Sequence, residues 1–60
     1  MDEKEQFFKI YSSIPLPERE NVVVIVYEKP ISWYLAYQEI KNNTALGEKI
    51  LKILKALEIL

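Results

Sequence analysis

The sequence predicts a small α+β domain with one main strand among three helices, in the order helix, strand, helix, helix. Two observations carry that expectation. The stretch "NVVVIVY", Asn21 to Tyr27, contains a run of four valines and one isoleucine, residue types that suit a pleated surface. On both sides of it, apolar residues recur at steps of three and four, as on one face of a helix. All 60 residues fit one domain, close to the smallest size that folds alone.

Phe7, Ile10, Tyr11 and Ile14 follow the i, i+3, i+4, i+7 spacing of a helix face. Asp2, Glu3 and Glu5 place negative charge in its first turn, where the helix dipole favours it. The competing reading is a second strand over residues 6–13, because Phe8, Ile10 and the aromatics also suit one. "IPLPEREN" then ends the pattern, and its two prolines predict an extended surface connection. The valine run lacks alternation, which predicts a strand covered on both faces. After it, Glu28 and Lys29 read as a turn, residues 29–31 are able to add a short strand piece, and Ser32 is a plausible N-cap.

The next helix, Trp33 to about Asn42, carries Trp33, Ala36, Tyr37 and Ile40 on one face. Ile31, Tyr34 and Leu35 add apolar surface outside that stripe. "NNT" ends it, and Asn43 or Thr44 caps the last helix, Ala45 to Leu60. There Leu46, Ile50, Ile53, Leu57 and Leu60 form the apolar stripe, with Leu54 beside them and lysines and glutamates opposite. Gly47 sits one turn inside this helix, where it costs about 1 kcal/mol relative to Ala. Either another backbone approaches closely there or the helix end frays.

Composition narrows function. There is no cysteine and no histidine. Disulfides, Cys-based metal sites and Ser–His or Cys–His nucleophile pairs are therefore excluded, along with the commonest metal ligand and general base. A single Gly cannot build a phosphate-cradling loop. No spacing singles out two carboxylates for acid–base work. These features predict a non-enzymatic protein with no cofactor and no metal. A net charge of −1 gives the chain as a whole no attraction to nucleic acid or to an anionic membrane. No apolar run approaches the roughly 18 residues of a membrane span. With the acidic start "MDEKEQ", this predicts a soluble, cytoplasmic chain. Abundant Lys, Glu and Ile is compatible with a thermophilic source.

A lone strand poses a pairing problem. Each backbone polar group buried without a partner costs about 1–3 kcal/mol, and an apolar edge left in water invites aggregation. Half the residues are hydrophobic, generous for so short a chain. The economical solution is a sheet completed by the same strand from a second copy. The expected function is thus assembly or protein–protein interaction as a homo-oligomer, a dimer or higher. Its expected contact residues are Val22, Val23, Val24, Ile25, Val26, Tyr27, Trp33, Tyr37, Leu51 and Ile59.

"NVVVI" followed by "KPISWYLA" resembles the opening strand, Lys-Lys-Pro loop and first helix of the Alba family of archaeal chromatin proteins. "ALGEKILKILKALEIL" is similar to that family's second helix, so the resemblance spans residues 21–37 and 45–60. It implies a dimer that contacts DNA through the lysines before the proline, of which Lys29 is the one match. Glu28 stands at the neighbouring position, and Glu48 where the family has a basic residue after its glycine. The alternative function is therefore nucleic-acid binding through Lys29 and a Lys49, Lys52, Lys55 helix face. A ribbon–helix–helix reading fails on the strand, because "VVVIV" has no polar side chains to read base edges.

Overall fold

The computed structural model describes residues 2–60. Helix α1 spans Glu3–Ser12. The Asp2 carboxylate caps it, accepting the Glu5 amide at 2.8 Å. Phe7 and Tyr11 are buried and Ile10 and Ile14 half-buried, so the helical spacing holds and residues 6–13 are not a strand. The proline segment corrects the extended connection expected of it. Leu16–Glu20 form a 3₁₀ turn, because a proline φ near −65° suits that turn as well as it suits an extended chain. The Arg19 Nε closes the turn by donating to the Ile14 carbonyl at 2.9 Å.

Strand β1 is Val22–Val26 and strand β2 is Lys29–Ser32. The second strand therefore lies at residues 29–32 and not at 6–13. The two pair antiparallel, Val26 opposite Lys29, Ile25 opposite Pro30 and Val24 opposite Ile31. An irregularity at Val23 then brings Val22 opposite Ser32. Only Tyr27 and Glu28 link the strands, at φ 52° and 64°. Two successive positive φ values match the twist of a two-residue hairpin, a position that usually demands Asn or Gly. Burial alternates at Val24, Ile25 and Val26: the two valines face the core while Ile25 is 64% exposed. Among the described residues the strand is thus covered on one face only, because the helices pack on the side of Val24, Val26 and Ile31.

Helix α2 covers Trp33–Lys41 and α3 covers Ala45–Ala56. Ser32 caps α2 by accepting the Leu35 amide at 3.1 Å, and Thr44 caps α3 by accepting the Gly47 amide at 3.0 Å. Both helices end alike. The Asn43 and Thr44 amides bond back to the Ile40 and Glu39 carbonyls, and those of Glu58 and Ile59 to Lys55 and Leu54. Each closure requires a left-handed residue, Asn43 at φ 57° and Glu58 at φ 61°. The second closure stops α3 at Ala56, short of the expected Leu60, and leaves the stripe residue Leu57 exposed. Phe7, Ile31, Ile40, Ile50 and Leu54 form the fully buried centre, one or more from each helix and one from β2. No helix among the described residues is long and apolar enough to cross a membrane.

Candidate functional site

Two surfaces stand out, one on the hairpin and one between α1 and α2. The hairpin gives β1 one partner strand within the chain. In a two-residue hairpin the pair beside the loop, Val26 and Lys29, exchanges hydrogen bonds, and bonded and non-bonded pairs alternate from there. Ile25 and Pro30 are accordingly a non-bonded pair, and their backbone groups point outward, away from each other. Pro30 has no N–H to offer, so the outer edge of β2 lacks a donor at its middle. The outer edge of β1 keeps both groups of Ile25. Among the described residues no strand pairs with it.

The side chains near that edge are apolar. Val22 is 56% exposed, Ile25 64% and Tyr27 81%. Val23 is half-buried, and Val24 and Val26 are committed to the chain's own core. Trp33 and Tyr37, also expected at a subunit contact, are engaged inside the chain. Trp33 lies 6.0 Å from Phe7, and Tyr37 packs between Phe8 and Tyr11. Leu51 is half-buried against the core. Ile59 lies past the end of α3, lining a small hollow with Gln6, Lys9, Ile10 and Leu60. The structure therefore leaves Val22, Ile25 and Tyr27 exposed along β1 and its turn, and the other expected contact residues elsewhere.

The candidate nucleic-acid lysines lie on two elements, Lys29 on β2 and Lys49, Lys52 and Lys55 on α3. Lys29 is exposed at the start of β2, and Lys49 stands over the Tyr27 ring at 5.9 Å. Lys52 is exposed, while the Lys55 ammonium donates to Glu3 Oε1 at 2.6 Å. That hydrogen bond, and secondly the Glu3 charge, raise the Lys55 pKa above its ordinary 10.5.

The second surface is a groove of about 500 Å³ lined by Phe8, Tyr11, Ser12, Arg19, Tyr37 and Lys41. Its wall is a column of four groups. Tyr11 and Tyr37 stack with ring centres 4.4 Å apart and planes 8° from parallel. The Arg19 guanidinium lies 4.5 Å over the Tyr11 ring, and the Lys41 ammonium 5.7 Å from the Tyr37 ring centre. In the sequence Tyr11 and Tyr37 fall in apolar helical stripes, Tyr37 also among the expected contact residues, and nothing in the spacing marks Arg19 or Lys41. The available signal was that Arg19 is the chain's single arginine.

Fold and surfaces together define a small α+β domain whose two-stranded sheet has one apolar, unpaired edge. No protein-family model, curated protein or solved structure matches this chain.

Proposed function

We propose that the chain is a non-enzymatic protein that acts by assembly, two copies joining their β1 edges into one continuous antiparallel sheet. The outer edge of β1, unpaired and flanked by exposed Val22, Ile25 and Tyr27, is the observation that carries this reading. A two-fold axis at the edge makes the pairing isologous, each Ile25 near the other. Pro30 directs the choice, because the opposite edge of the hairpin lacks a donor where a partner strand needs one. Magnitudes limit the outcome. Fully burying a side chain of this size is worth about 1.5–3 kcal/mol, and a dimer holds the set twice. Association costs about 4–15 kcal/mol, so a stable dimer must bury most of that set.

Size-exclusion chromatography with light scattering tests it. The expected mass is twice the chain's 7.1 kDa, and Ile25→Lys should return a folded monomer by placing a charge on the edge. A well-folded monomer of the unchanged chain at high concentration would refute the proposal.

A second reading is nucleic-acid binding through Lys29 and the Lys49, Lys52, Lys55 face. Lys49 beside the exposed Tyr27 ring supports it, since a lysine next to a free aromatic suits a stacked base. Titration with duplex DNA and RNA at low and high salt tests this reading, and absence of salt-sensitive binding removes it.

A further inference from the structure

The groove between α1 and α2 has the properties of an anion site, and we infer that it binds a small organic anion. The ligand is a molecule with one carboxylate or phosphate on an apolar body. The anionic group meets the Arg19 fork, and the body lies along Phe8, Tyr11 and Tyr37 toward Lys41, which adds positive charge at the far end of the groove.

Lys55–Glu3 is the only ion pair among the described residues, so neither Arg19 nor Lys41 has a carboxylate at pairing distance. Glu20 shares an adjoining hollow with Arg19 without forming such a pair. Arg19 is also held in place: its Nε donates to the Ile14 carbonyl, and its guanidinium carbon lies 4.5 Å over the Tyr11 ring. Its two terminal amino groups make no hydrogen bond among the described residues, leaving a fork that matches a carboxylate or phosphate. A donor fixed before binding loses little freedom when the ligand arrives.

A volume of about 500 Å³ lies within the roughly 300–1,000 Å³ of small-molecule sites. The stack occupies the ring faces of Tyr11 and Tyr37, so ring edges line the space, and edges carry the positive part of an aromatic quadrupole. Ser12 does not compete, because its hydroxyl proton goes to the Lys9 carbonyl at 2.8 Å. Arg19 and Lys41 are left as the charged donors, beside the Tyr11 and Tyr37 hydroxyls. None of the lining residues belongs to β1 or β2, so the site is independent of the proposed assembly edge.

Amide and side-chain NMR of the full chain tests the inference with four probes. These are phenylacetate, phenyl phosphate, inorganic phosphate and the neutral benzyl alcohol. Phenylacetate or phenyl phosphate should shift Phe8, Tyr11, Arg19, Tyr37 and Lys41, and whichever binds tighter identifies the anionic group. Inorganic phosphate and benzyl alcohol should bind at least tenfold more weakly, each lacking one half of the recognition. Arg19→Lys keeps the charge but loses the fork and should weaken binding about tenfold. Lys41→Gln, an exposed change that leaves the fold intact, removes a more distant positive charge and should weaken it less than Arg19→Lys does. Absence of shifts at the groove with millimolar phenylacetate and phenyl phosphate would overturn the site. Equal binding of benzyl alcohol, or affinity unchanged in Arg19→Lys, would do the same.

Discussion

Gly47 in α3 packs directly on the backbone of Glu39 in α2: a methyl group at Gly47 would stand 2.4 Å from the Glu39 carbonyl oxygen. The glycine thus lets the N-terminal turn of one helix close onto the C-terminal turn of the other. Thr44 ties the same corner, accepting the Gly47 amide and donating to the Glu39 carboxylate at 2.8 Å.

Gly47→Ala therefore sets two effects against each other. Helix propensity favours Ala by about 1 kcal/mol, while overpacking against immobile backbone costs about 1–3 kcal/mol. With a contact this short, overpacking wins. The expected result is a loss of about 2 kcal/mol, seen as a fall in melting temperature of roughly 10 °C for a domain of this size. An unchanged or raised melting temperature would show that the α2–α3 corner is looser than described.

Thr44→Ala should cost more than Ser32→Ala. Each removes an N-cap worth about 1 kcal/mol, but Thr44 also serves the Glu39 side chain. Urea midpoints of the two variants decide the order, and equal midpoints would deny the Thr44–Glu39 bond any net contribution.

Glu28→Gly and Glu58→Gly should each stabilise the chain. Both residues hold a left-handed backbone, φ 64° and 61°, which costs a residue with a side chain about 1–2 kcal/mol. Glycine's greater freedom in the unfolded state takes back about 0.5–1 kcal/mol. A net gain on the order of 0.5–1 kcal/mol per site remains, measurable by chemical denaturation. A loss at Glu28 would speak against the two-residue hairpin turn.

The Lys55–Glu3 pair links α3 to α1 at the surface. Because the folded pKa of Lys55 is raised, its contribution is complete below the unfolded value near 10.5 and fades as pH climbs through the folded value. Glu3→Gln should therefore melt slightly below the parent at neutral pH. The difference should close once Lys55 deprotonates, and also in high salt, where exposed charges are screened. A gap that stays constant across both series would assign the effect of Glu3 to something other than this pair.

Much of the helical structure is legible in the residues alone. Ser32 and Thr44 announce the starts of α2 and α3, since a capping hydroxyl and the amide it accepts lie three residues apart. Phe7, Tyr11, Ala36, Ile40, Ile50 and Leu54 follow the helical repeat and are buried as that repeat requires. The valine run reads as β1 because β-branched residues are stiff in the extended form.

Other features emerge only when distant parts of the chain meet. Lys29–Ser32 pairs with β1 through a Tyr27–Glu28 turn that lacks the Asn or Gly that usually marks one. Which valines face inward follows from the side on which the helices pack, which a run without alternation does not encode. The end of α3 at Ala56 depends on Glu58 accepting a left-handed backbone, the conformation glycine favours. The Arg19–Tyr11–Tyr37–Lys41 column joins α1, the 3₁₀ turn and α2. Local propensity acts over three or four residues, so it sets the elements and their caps. Sheet register, the open edge and the groove are set by contacts between residues far apart in the chain, and these exist only in the packed molecule.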